Sequence, residues 1–206
     1  MASTEETTVP EARPIDSTRF KEFQISKAGL SGLQISSKDP ASPHSQFYID
    51  TSLFLPSKKD ITIHAGASAK GKTLGDVDLK NFSGHYMIEL GDPNVEPVVL
   101  EELDRVKGWS SRHQFEFAFG GRERDVFLWR HRGRDLAENR DDLELLVEDE
   151  EREEEDEVLA VYEAKGGEHG WKSKGRLLIK EGGGEQWELM VILTAMALIV
   201  SKRREQ

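Results

Sequence analysis

Residues Glu185–Arg204 read EQWELMVILTAMALIVSKRR, and this stretch decides the architecture. Within it, Leu189–Val200 has Thr194 as its single polar residue. Leu, Met and Ala dominate while Gly and Pro are absent, a composition that favours helix. Glu185 and Glu188 lead and Lys202, Arg203 and Arg204 trail, the order that complements a helix dipole. The apolar residues occupy every side of such a helix, not one stripe, so it must be enclosed all round.

Lipid or protein can enclose it. A twelve-residue apolar helix spans about 18 Å, against a hydrocarbon core of about 30 Å. A tail anchor would also carry Lys202, Arg203 and Arg204 across the bilayer, against the positive-inside bias. Enclosure by protein is therefore expected, with a tail-anchored membrane protein as the alternative.

Working outward, the chain from Gln46 to Lys180 consists of short apolar runs stopped by turn residues. They are Gln46–Leu55, Asp60–His64, Thr73–Leu79, His85–Leu90, Glu96–Leu103, His113–Phe119, Arg124–Arg132, Leu143–Glu148, Val158–Ala164 and Arg176–Lys180. In HQFEFAF (His113–Phe119) the three phenylalanines alternate cleanly. This rhythm predicts an all-β fold. Strands do not alternate with long amphipathic helices, which argues against a parallel α/β sheet. The expectation is a mainly β domain over 45–206: a closed antiparallel barrel of about 10–12 strands around a central helix, 185–204. Residues 1–44 are rich in Ser, Thr and Pro and predict a disordered tail, although Phe20, Phe23, Ile25, Leu30, Leu33 and Ile35 form a patch able to dock. The opening MASTEETTVP has neither the basic nor the apolar region of a secretory signal.

The chain has 206 residues, a formal charge of −11 and no cysteine. Disulfide scaffolds, cysteine zinc sites, thiol nucleophiles and Fe–S clusters are excluded. A reducing cytoplasmic setting fits, with nuclear or membrane-peripheral placement as variants. The charge is concentrated: Asp135–Glu157 holds 14 acids against Arg140 and Arg152, leaving the remainder close to neutral. Overall acidity argues against nucleic acid as a partner.

A tail, ten to twelve short strands and a terminal helix apolar all round resemble the tubby C-terminal-like superfamily, which includes tubby, LURP-one-related and phospholipid scramblase proteins. The stretches that carry the resemblance are Ile88–Asn94, Phe115–Phe117, Phe127–Arg130, Glu144–Glu148 leading to Val158–Tyr162, Gly175–Ile179 and Glu188–Arg204. They cover roughly residues 46–204 and look most like uncharacterised fungal members. The resemblance implies a barrel threaded by a hydrophobic helix and a non-enzymatic, phospholipid-binding module. Its motifs are core and turn patterns, so they are specific for fold and nearly silent on activity. In the fungal pattern a tight turn joins the strands over Leu143–Val161, whereas this chain has an acidic loop over 149–157.

Three local features bear on function. Gly66-Ala-Ser-Ala-Lys-Gly71-Lys72-Thr73 satisfies the phosphate-loop pattern after a strand. A working loop needs a helix opening at Lys72. Leu74–Asp78 reads instead as a turn and a strand, so a Gly/Ser/Lys hairpin is expected, with nucleotide binding through Gly66, Gly71, Lys72 and Thr73 as the alternative. The basic cluster Arg122, Arg124, Arg130, Arg132 and Arg134 has two readings. On a strand Arg124, Arg130 and Arg132 share an outward face opposite Phe127 and Trp129, where they could hold an anionic lipid headgroup or a protein partner. Equally, that face could pair with the acidic run or be solvated. The acidic run lacks the ligand spacing of a calcium loop, so no metal is assigned.

His44, His64, His85, His113, His131 and His169 are scattered without a ligand pair, and Trp109, Trp129, Trp171 and Trp187 read as core or rim aromatics. No G-x-S-x-G elbow or triad is present, so no catalytic residue, no cofactor and no enzymatic activity are assigned. The resulting expectation is a binding module, for anionic headgroups or a protein partner at the outer basic face, with at most peripheral membrane contact.

Overall fold

The computed structural model describes residues 19–29, 32–39, 45–52, 58–79, 84–95, 97–107, 111–118, 123–132, 142–147, 157–164 and 175–204. Twelve strands run in chain order: β1 (Phe20–Ala28), β2 (Gly32–Ser37), β3 (Gln46–Thr51), β4 (Ile61–Ala65), β5 (Thr73–Leu79), β6 (His85–Leu90), β7 (Val99–Arg105), β8 (His113–Ala118), β9 (Arg124–His131), β10 (Leu143–Val147), β11 (Val158–Ala164) and β12 (Gly175–Lys180). One helix, α1 (Gly184–Arg204), comes last. Each strand pairs antiparallel with the next, and β1 pairs with β12 to close the barrel. This is the expected mainly β, closed antiparallel barrel around a terminal helix.

The expectation over residues 1–44 is corrected in part. Phe20–Ala28 and Gly32–Ser37 are barrel strands, and β1 is the closing one, in register from Phe20↔Lys180 to Ile25↔Gly175. Their inward residues Phe23, Ile25, Leu33 and Ile35 belong to the main core. Apart from Leu30, which lies outside the described residues, the patch noted in that segment therefore belongs to two strands of the wall and is not an appendage. Residues 1–18 and 40–44 lie outside the described residues, as does 148–156 of the acidic segment.

Alternation builds the core. Ile61 and Ile63, Phe115 and Phe117, Phe127 and Trp129, Leu177 and Ile179 each occupy every second position of a strand and meet inside. Helix α1 fills the space they surround. Every residue from Leu189 to Val200 is buried, and the contacts of the helix fall on widely separated strands. Trp187 packs on Phe127, Phe117 and Phe115 with ring centroids 4.7, 6.3 and 6.4 Å away. Lys21 of β1 pairs with Glu188 at 2.7 Å. On β5, Gly75 supplies the close approach: a Cβ there would stand 2.8 Å from the Leu193 Cδ1 and 2.7 Å from the Glu89 carbonyl oxygen. Contact from β1, β5, β8 and β9 means that the helix is surrounded, so protein covers the apolar surface that the tail-anchor alternative would give to lipid. By length and composition α1 alone among the described helices could cross a membrane.

The one polar group in that apolar run is satisfied from both sides. The Thr194 hydroxyl donates to the Met190 carbonyl oxygen at 2.9 Å and accepts the Trp129 Nε1–H at 3.0 Å. A buried donor left without a partner costs about 1–3 kcal/mol. Thr194→Val keeps the shape and orphans the Trp129 N–H, so we expect a loss of about 1–3 kcal/mol in denaturant unfolding with the fold intact. Ala195→Asp places an unpaired charge against the wall and costs several kcal/mol, comparable with total stability. Circular dichroism and size exclusion should find that variant unfolded, and a normal melting transition would contradict enclosure.

Candidate functional site

The phosphate-loop alternative fails on its context. Gly66–Lys72 closes a hairpin between β4 and β5: the Ala65 N–H donates to the Lys72 carbonyl at 2.8 Å and the Gly71 N–H to the Ser68 carbonyl at 3.1 Å. Thr73 opens strand β5, so the helix N-terminus that must complete a phosphate site is absent there. The turn itself demands glycine. Gly66 has φ +84°, and a Cβ on Gly71 would lie 1.8 Å from the Ala65 carbonyl oxygen. Gly66, Gly71, Lys72 and Thr73 thus satisfy the pattern for hairpin reasons.

The arginine cluster is placed as alternation expects, with Phe127 and Trp129 in the core and Arg124, Arg130 and Arg132 at the surface. Arg122 and Arg134 lie outside the described residues. The three that are described hold carboxylates on other strands of the wall, one or two strands away. Arg130 Nε donates to Glu144 at 2.8 Å, across the β9–β10 register pair Glu144↔Arg130. Arg132 meets Glu163 at 3.4 Å, and Glu163 also accepts from Arg176 Nε at 2.5 Å. Beside these pairs, on the same outward parity, lie aliphatics: Leu128 opposite Leu146, and Val161 opposite Leu178. All four are buried, although they lie outside the main core.

Arg124 does something different. Its two terminal nitrogens donate to the two oxygens of Glu101 at 2.7 and 2.6 Å, and one also reaches the Glu116 carbonyl at 3.2 Å. Those bonds hold the guanidinium pKa above its ordinary value. Glu101 is only 6 % exposed, while the Arg124 side chain is half exposed. The link spans from β9 across β8 to β7. It lies where the wall is weakest, because β7 and β8 pair only at their far end, through Asp104↔Gln114, Arg105↔His113 and the Val106 N–H donating to the Arg112 carbonyl. Toward the β6–β7 turn the two strands part, and Arg124 clamps the seam.

Beside that seam stand the exposed large aliphatics of the described residues: Val95 at 71 %, Leu100 at 58 % and Val99 at 36 %. They sit on the β6–β7 hairpin, whose turn is held by Asp92 Oδ1 accepting from the Asn94 N–H at 2.9 Å. Exposed Glu102 and Glu116 flank them. The sequence signal for this patch is present in Val98-Val99-Leu100, where apolar residues fall on both faces of one strand.

Elsewhere the structure buries two titratable groups that the sequence did not single out. Asp76 on β5 lies between strands, with the Thr62 hydroxyl donating to it at 2.5 Å; burial pushes its carboxyl up, and that hydrogen bond opposes the rise. His113 shares the inward parity of Phe115 and Phe117, which is how the sequence could have revealed it. Its ring stacks on Tyr86 at 5.7 Å, and burial, with Arg105 and His131 nearby, pushes its pKa down to about 4.

No known protein family, curated protein or solved structure matches this chain.

His113 gives a signed pH dependence. A histidine held neutral in the fold and ordinary when unfolded lets the unfolded chain bind the proton first. Its contribution is complete above about pH 6.5 and is lost as pH falls toward about 4. Denaturant unfolding between pH 7 and 4 should therefore show a falling stability that His113→Phe flattens by roughly 2–3 kcal/mol.

Proposed function

We propose that the domain is a binding module rather than an enzyme, related to the tubby-like superfamily, and that it takes a protein partner at the β6–β7 rim. The closed barrel around an apolar helix supports the kinship. The single observation that carries the binding reading is that Val95, Val99 and Leu100 are all exposed on one hairpin, beside a seam where two wall strands part. Exposed aliphatics grouped at one place mark contact surfaces, and a strand edge without ladder partners offers main-chain hydrogen bonds to an extended segment. Glu102 and Glu116 flank the patch, so an extended segment with Lys or Arg between aliphatics is the complementary partner.

Anionic headgroups at the outer arginine face are the alternative. There Arg130 and Arg132 already hold Glu144 and Glu163, and a phosphate would have to displace those carboxylates. Near the rim, acidic side chains repel an anionic surface.

Selection of a random peptide library displayed on phage against the immobilised full chain tests this. We expect enriched peptides to alternate basic and aliphatic residues and to lose at least tenfold in affinity on Leu100→Asp. Absence of enrichment, or peptides indifferent to that substitution, overturns the reading. Cosedimentation with phosphatidylserine vesicles that disappears in the Arg130→Gln/Arg132→Gln variant would install the headgroup alternative in its place.

A further inference from the structure

The opposite rim carries a different feature. β12 ends at Lys180 and a three-residue turn leads into α1 at Gly184. Trp187 then meets Phe117 and Phe127, and Thr194 lies further along at Trp129. Trp129 is the register partner of His113. The helix therefore runs toward the rim where β7 ends and β8 begins, and Lys202, Arg203 and Arg204 occupy its last turn.

At this mouth Arg105 and His113 are direct register partners across β7 and β8. Arg105 follows Leu103 on the inward parity, and His113 precedes Phe115 and Phe117 on theirs. The Arg105 Nε and the His113 Nε2 are both buried and both lack a hydrogen-bond partner. His113 is 7 % exposed. The nearest carboxylate in sequence, Asp104, is taken by His85 Nδ1 at 2.5 Å. Gly84 packs against the guanidinium so closely that a Cβ would come within 2.7 Å of Nε. Arg124, Arg130, Arg132 and Arg176 each hold a carboxylate; Arg105 holds none among the described residues. Two adjacent buried nitrogens with unmet hydrogen-bonding capacity, one on a permanent cation, form the receiving half of an anion site.

We propose that this mouth binds a small oxyanion group, phosphate or carboxylate, between Arg105 Nε–H and His113 Nε2–H, with Tyr86 as the stacking wall behind the imidazole. The site is independent of the β6–β7 rim. Binding draws the His113 ring toward its protonated form, because an anion beside the imidazole favours the imidazolium. Facing groups are Arg105, Asp104, His85 and His131, and of these only Asp104 opposes an anion.

Histidine-ring NMR of the full chain, with the His113 signals assigned through His113→Asn, tests the site directly. Inorganic phosphate and acetate are titrated separately at constant ionic strength in chloride. We expect a saturable shift of the His113 signals, a His113 pKa raised by at least tenfold in proton affinity at saturation, and at least tenfold weaker binding in Arg105→Gln. Arg105→Lys keeps the charge without the planar fork and should bind at an intermediate level, which preserves the test if the Gln variant does not fold. Phosphate binding without acetate binding identifies a phosphate ester as the ligand class, and the reverse identifies a carboxylate. Absence of a saturable shift with either anion, or a shift unchanged by both Arg105 substitutions, means that water alone fills the gap and overturns the proposal.

Discussion

A helix that is apolar on every side has no stable place in water, and the rest of this molecule answers that constraint. Burying Leu189 through Val200 requires a wall on all sides, and a wall of strands surrounds a helix completely only if the sheet closes. Closure is made by β1 against β12, segments more than a hundred residues apart in the chain. The same end of the barrel ties the helix in place, with Lys21 of the closing strand paired to Glu188. The strands in turn depend on the helix, since their inward Phe, Ile, Leu and Trp side chains would otherwise line a void. Gly75 and Thr194 are concessions to the fit: one removes a side chain where helix and wall approach, and the other supplies the polar partner a buried indole needs.

Outside, the wall pairs its charges with one another. Arg130–Glu144 and Arg176–Glu163 bridge neighbouring strands, Lys180 pairs with Glu157, Arg132 reaches Glu163 two strands away, and Lys59–Glu89 ties a connecting segment to the wall, so these described basic groups of the wall are held by carboxylates rather than forming a free basic field. Against that background the two rims stand apart. One has exposed aliphatics among acids beside a seam clamped by Arg124. The other has an arginine and a histidine whose buried nitrogens lack partners. Sites of recognition are expected where a fold leaves apolar surface uncovered or buried polar groups unpaired, and these two rims are such places.

Much of the wall was legible because its evidence is local. Alternation such as Phe115/Phe117 and Phe127/Trp129, with Gly and Asn stops, marks strands β3–β12 to within a few residues. The two strands β1 and β2 were hidden by composition: FKEFQISKA carries its inward Phe23 and Ile25 among Lys, Glu, Gln and Ser, and sits in a Ser/Thr/Pro-rich segment. Its strand character is completed by β12, which a local window cannot see. The phosphate-loop pattern failed for the converse reason. Eight local residues satisfied it, but whether a helix or a strand comes next is decided by the pairing of β5 with β4 and β6. Outward parity of the arginines was readable, whereas their partners were not: Glu144, Glu163 and Glu101 lie 14, 31 and 23 residues away.

The sequence by itself determined that a terminal helix must be enclosed and that short alternating strands must do the enclosing, because hydrophobic period and turn chemistry are properties of neighbouring residues. The tertiary structure alone decided which strand closes the ring, which arginines are already paired with carboxylates, and that Arg105 is brought beside His113. Those outcomes depend on register between strands, and register is set by the global fit of the barrel around its helix.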